Sequence, residues 1–111
     1  MAERPLRVLV QFSSGLPWRR ASEEERKKAN ESDLQISKKW KASGVQFIGY
    51  FGAPAGLEGF THSALFGVKD IKQVQEMADD LFASEWGKYV EKYRLVIGWG
   101  WTEVEEWWKS L

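Results

Sequence analysis

Four strand-sized apolar runs and two capped helical segments alternate in the order strand, helix, strand, strand, helix, strand. No other feature of this 111-residue chain constrains its fold as strongly. Leu6–Ser14 (LRVLVQFSS) is rich in apolar and β-branched residues and is then broken by Gly15 and Pro17, which reads as a strand and its exit. Ser22 followed by Glu25 matches a capping box with glutamates in the first turn, and no Pro or Gly intervenes before Gly44, which predicts a helix of about 22 residues. Its apolar positions are few, chiefly Ala29, Ile36 and Trp40, so one buried stripe on an otherwise solvated helix is expected. Val45–Gly52 and Phe60–Val68 follow as two strands joined by the loop APAGLEG (53–59). Asp70 with Gln73 repeats the capping pattern, and Ile71, Val74, Ala78 and Leu81 recur at helical spacing toward Trp86. This helix is expected to end near Gly87, with KYVEKY as a further turn or two, before Tyr93–Trp101 forms the fourth strand. Thr102 and Glu105 then open a short helix whose apolar stripe holds Val104, Trp107 or Trp108, and Leu111.

That order is the ferredoxin-like β-α-β-β-α-β pattern of the α+β class, in which four antiparallel strands pair in the order 4-1-3-2 and both helices cover one face. Strand alternation sorts the side chains by face. Val8, Val10, Phe12, Val45, Phe47, Phe51, Leu65, Leu95, Ile97 and Trp99 are expected beneath the helices. Leu9, Gln11, Ile48, Tyr50, His62, Ala64, Phe66, Arg94 and Val96 are expected on the other face, a set too apolar to be left to water. Two helices cannot cover both faces, so a second copy is expected to cover the remaining one, giving a homodimer or a higher homo-oligomer. A one-residue bulge in the second or third strand would reverse the face of Tyr50 or His62.

The length suits a single domain spanning 1–111. Sixteen basic and sixteen acidic residues cancel, which argues against a nucleic-acid or anionic-membrane partner. The balance is uneven, with ten Lys/Arg against six Asp/Glu over residues 1–41 and six against ten over 58–111, so the two parts are complementary. Cysteine is absent, which excludes a disulfide framework, a thiolate nucleophile and a zinc-thiolate site. Neither a signal-peptide run nor the ~20 apolar residues of a membrane span is present, and a cytoplasmic location is the expectation. Seven tryptophans are the compositional oddity: Trp40, Trp86 and Trp99 fit core stripes, and Trp101, Trp107 and Trp108 fit a subunit interface.

In element order, and in the run LFGVKDIKQVQEMADDLFASEWGKYVEKYRLVIGW where a strand meets an amphipathic helix and a final strand, the chain resembles the dimeric α/β-barrel superfamily. The resemblance implies face-to-face packing of two sheets and a ligand-sized cavity between each sheet and its adjoining elements or its partner. Members include cofactor-free monooxygenases, isomerases and haem-binding enzymes; no motif here transfers a catalytic residue. The RNA-recognition motif shares the element order, and Gly59-Phe60 echoes its third strand. However, His62 and Ser63 stand where an aromatic and an aliphatic residue are required, and Glu58 stands where a base is required.

An antiparallel 4-1-3-2 sheet brings the end of the first strand, the end of the second and the starts of the third and fourth to one edge. Gln11, Tyr50, His62 and Arg94 should therefore meet there, beside Trp18-Arg19-Arg20 of the first loop. Such a cluster suits an anionic or oxygen-bearing aromatic ligand. His62 and Tyr50 are the expected catalytic pair, with His62 as general base, and Gln11, Trp18, Arg19, Phe66 and Arg94 are the expected ligand contacts. A single histidine provides neither a multi-ligand metal site nor a Ser-His-Asp triad. No cofactor is expected, with axial haem ligation by His62 as the second reading. The function expected is binding of a small, partly apolar molecule, with turnover as a cofactor-independent oxygenase or isomerase, or a non-enzymatic assembly or ligand-binding role.

Overall fold

A computed structural model describes residues 4–52 and 59–111, so most of the APAGLEG loop lies outside the described residues. The elements are β1 (Leu6–Ser14), α1 (Leu16–Arg20), α2 (Glu23–Ala42), β2 (Gln46–Gly52), β3 (His62–Val68), α3 (Ile71–Ala83), β4 (Val90–Trp99) and α4 (Thr102–Lys109), with a 3-10 turn at Trp86–Tyr89. The sheet is antiparallel in the order β2-β3-β1-β4, which is the ferredoxin-like 4-1-3-2 arrangement.

Local chemistry accounts for the element boundaries. The Ser22 hydroxyl accepts from the Glu25 amide at 3.1 Å while the Glu25 carboxylate accepts from the Ser22 amide at 3.0 Å, which satisfies two otherwise orphaned donors at the start of α2. Gly44, at φ 93°, ends that helix in a conformation that disfavours side chains. Asp70 caps α3 by accepting from the Gln73 amide at 2.8 Å. The buried Gln73 side chain also donates to the Ser43 carbonyl at 3.0 Å, tying the start of α3 to the end of α2.

Two expectations are corrected. Segment 88–93 is not an added helical turn: beyond the 3-10 turn it is the first part of β4, because β1 continues to Ser14 and offers pairing partners, Phe12 to Tyr93 and Ser13 to Lys92. Residues 16–20, expected only as a break, form a short helix with Pro17 in its first turn, where a missing N–H costs nothing.

The core is Val8, Val45, Val68, Val74 and Met77, with Leu6, Val10, Trp40, Phe66 and Leu95 packed against it, and it lies between the sheet and the helices. Asp80 joins α3 to α2, accepting from Lys39 Nζ at 2.7 Å and from the Trp40 indole at 3.0 Å. Helix α4 is different. It forms as expected, yet Val104, Trp107, Trp108 (70% exposed) and Leu111 (76%) bury little on their own protomer. At its root Arg4 pairs with Glu103 and sits 4.2 Å over the Trp101 ring. The radius of gyration, 15.6 Å, accordingly exceeds the ~13 Å of a compact chain of this length.

Candidate functional site

The strand register decides which side chains share a face. Val8, Val10 and Phe12 of β1 lie opposite Phe66, Ala64 and His62 of β3, and Phe47, Tyr50 and Gly52 of β2 continue the same three rows. These rows face the helices. Gln11 lies opposite Ser63 on one side and Arg94 on the other, so these three occupy the opposite face. The expected four-residue cluster is therefore two pairs on two faces, Tyr50 with His62 and Gln11 with Arg94.

Two effects produce this outcome. The residues of β3 that face the helices are His62, Ala64, Phe66 and Val68, and Leu65 faces away, the reverse of the expected parity. In β2, Ile48 is an extra residue between the pairs Phe47–Phe66 and Gly49–Leu65. This bulge places Phe47 and Tyr50 on one face although they are three residues apart, and sends Phe51, 61% exposed, to the other.

Between the helix-facing side of the sheet and α2 lies a cavity of about 830 Å³. Val10, Phe12, Ala64 and Phe66 form its floor, and Trp18, Trp40 and Trp86 its aromatic walls. Asp33, Ser37 and Lys41 of α2, with Gln46, Phe47 and Tyr50 of β2, form the rim. At one end the Tyr50 hydroxyl lies 2.9 Å from His62 Nδ1. The imidazole stacks on Phe12 with ring centroids 4.9 Å apart, and Phe12 in turn meets Trp86 edge-on at 4.9 Å. Aromatic packing thus fixes the plane of the ring, and the hydrogen bond to Nδ1 fixes the rotation within that plane.

Trp18 is placed by a neighbouring cation. Arg26 of α2 donates to the Trp18 carbonyl through Nε and Nη2 at 3.1 and 3.0 Å and to the Arg19 carbonyl at 3.0 Å, which caps α1 and holds its indole at the cavity wall. The Arg19 side chain is not among the described lining residues; its carbonyl accepts from Arg26. Arg94 donates to Gln11 Oε1 at 3.0 and 2.6 Å, and Gln11 donates to Ser63 Oγ at 3.3 Å, so this network belongs to the uncovered face. Trp99, expected in the core, is 67% exposed because β4 is an edge strand.

Asp33 and Lys41 are the carboxylate and the ammonium among the described lining residues of the cavity. Burial against the wall pushes the Asp33 carboxyl above its ordinary value. Burial also raises the Tyr50 phenol, and the charge of Asp33 adds to that rise, so Tyr50 stays protonated as a hydrogen-bonding group. Asp33, Ser37 and Lys41 were not anticipated as site residues. Their signal is a four-residue spacing on α2 that flanks Trp40, which in a helix otherwise rich in charge reads as ordinary solvation. Among the described residues no group of three or more His, Cys, Asp or Glu is placed to hold a metal ion.

No family model matches the chain, and no curated protein matches it in sequence. Solved structures do match in fold. Chlorite dismutase from Candidatus Nitrospira defluvii aligns with TM-score 0.73 at 11% identity, over 94% of this chain and 44% of the enzyme, so the chain spans less than half of that protein. A heme-binding protein from Thermus thermophilus aligns with TM-score 0.61 at 19% identity, over 88% of this chain and 42% of that one. A DABB-family protein with a ferredoxin-like fold from Mesorhizobium loti aligns with TM-score 0.55 at 18% identity, over 86% of this chain and 96% of that one. At such identities the likeness is one of fold: the chain has the ferredoxin-like fold, with its four antiparallel strands in the order 4-1-3-2.

Proposed function

We propose that the chain is a cytoplasmic, single-domain, small-molecule-binding protein that works as a homodimer and moves a proton on a flat, uncharged, partly apolar ligand. The observation that carries this reading is the hydrogen-bonded Tyr50–His62 pair at the wall of an open, aromatic-lined cavity of about 830 Å³. A protein built only for assembly would fill such a volume with side chains. With Nδ1–H donating to the Tyr50 oxygen, His62 keeps the Nε2 lone pair as a base for an acidic O–H or C–H of the ligand. Tyr50 then shares the imidazolium proton.

The loss of Arg94 from this face changes the expected ligand. With Asp33 offsetting Lys41, the single Lys or Arg among the described lining residues, the cavity carries no net cation to draw an anionic ligand, and a neutral hydroxylated ring is favoured. The same inventory fits haem poorly: one imidazole could meet iron, but two propionates would share Lys41 and face Asp33. Dimerisation is supported by the uncovered face, where Leu9, Leu65, Val96 and Phe51 lie with no helix over them.

2-Naphthol and 2-naphthoate are matched probes that differ in charge, and Trp18, Trp40 and Trp86 report their binding by fluorescence. Naphthol is expected to quench and naphthoate to bind at least ten times more weakly. Equal binding of both, or none of either, would overturn the reading.

A further inference from the structure

Helix α4 carries Val104, Trp107 and Trp108, and Leu111 follows just beyond its end, at spacings of three, one and three residues that make one apolar stripe. All four are at least half exposed. The cavity has a matching deficit, since Phe47 in its lining, on the edge strand β2, is 62% exposed. A protomer cannot join the two by itself. Helix α4 leaves the sheet from β4, and β4 and β2 are opposite edges, three strand spacings or ~14 Å apart.

A second copy can. When two sheets pack by their uncovered faces about a two-fold axis parallel to the strands, edge β4 of one lies over edge β2 of the other. The levels along the strands agree as well. Trp99, at the end of β4, pairs with Leu6, which pairs with Val68, and β2 begins at that same end with Gln46 opposite Gly67. Lys41 in the last turn of α2 and Gln46 at the start of β2 both line the cavity. Helix α4, Thr102–Lys109, reaches ~12 Å, which exceeds the ~10 Å between stacked sheets.

Charge selects the same pairing. Glu105 and Glu106 flank the stripe of α4 against one cation, Lys109, with Glu103 held by Arg4, whereas Lys41 lines the cavity, Lys38 precedes it by three residues on α2, and Asp33 is the opposing anion. The geometry points to an exchange of helices, in which α4 of each copy lies along the mouth of the other copy's cavity, with Trp107 and Trp108 on Phe47 and the glutamates beside Lys38 and Lys41. The site is then completed by the second copy, and ligand entry requires α4 to lift. This inference rests on the face-to-face homodimer proposed above.

The chain has no cysteine, so introduced thiols are unambiguous. Trp108→Cys and Phe47→Cys, both at exposed positions, are made in separate chains, mixed and oxidised, with sedimentation measured in parallel. A covalent pair of twice 12.8 kDa is expected from the mixture at several times the yield of either variant alone. Glu106→Lys in the Trp108→Cys chain should lower that yield several-fold, and Lys41→Glu in the other chain should restore it. A non-covalent dimer that gives no mixed product would overturn the exchange and leave the dimer standing, whereas monomeric mass would overturn both. Internal disulfide closure in a chain carrying both cysteines, or association with phosphatidylcholine vesicles in place of the cross-link, would also overturn the exchange.

Discussion

The Tyr50 hydroxyl and His62 Nδ1 lie 2.9 Å apart on the helix-facing side of the sheet, brought to one face by a bulge at Ile48. Their separate removal should weaken binding while sparing the fold. Tyr50→Phe is expected to weaken 2-naphthol binding about 3- to 10-fold, the equivalent of one lost hydrogen bond of ~1 kcal/mol. Its melting temperature should stay within a degree or two, because Tyr50 is more than half exposed.

Asp33 gives a pH signature of a defined sign. Its folded-state value is raised above 3.8 by burial, so its ionisation opposes folding: the penalty is absent below 3.8 and complete once pH has risen through the folded value. Asp33→Asn should therefore raise the melting temperature at pH 7 and leave it unchanged near pH 3. The same substitution should narrow the preference for naphthol over naphthoate, which titration at pH 7 would show.

Asp80 behaves in the opposite sense. Burial alone would raise its carboxyl, but hydrogen bonds from Lys39 and Trp40 outweigh that and hold it below 3.8. Its contribution is present above 3.8 and lost as pH falls through the folded value. Asp80→Asn is expected to cost up to ~1 kcal/mol at neutral pH by urea unfolding, since the exposed Lys39 ammonium loses its anionic acceptor.

Deleting residues 101–111 separates protomer stability from assembly. Because α4 buries little on its own chain, the core of Val8, Val45, Val68, Val74 and Met77 should keep its secondary structure by circular dichroism. Sedimentation equilibrium should show a dimer at least ten times weaker than that of the full chain.

The element order was readable because its signals are local. The Ser22–Glu25 box, the Asp70 cap and the glycine after α2 each act within a turn of the backbone they control. Strand parity was less readable. In β3 both alternating sets contain large apolar residues, Phe66 and Val68 against Leu65, and the set that faces the helices also holds the single imidazole. Hydrophobicity alone therefore does not choose between them. Gly49 hints at a bulge, but a glycine equally marks a close approach. The cavity was anticipated only in kind. Its rim depends on α2 lying beside β2, a tertiary relationship that no spacing along the chain encodes, and so Asp33, Ser37 and Lys41 passed for solvated surface.

His62 is the chain's single histidine, so its ring nitrogens give unambiguous signals in a 15N-labelled sample. The direct test of the proton-transfer site is the tautomer of that ring with and without 2-naphthol. A proton on Nδ1, directed at Tyr50, with a bare Nε2 whose resonance moves on naphthol addition, is expected. A proton on Nε2 in the free protein, or an Nε2 resonance indifferent to saturating naphthol, would contradict the assignment of His62 as the base.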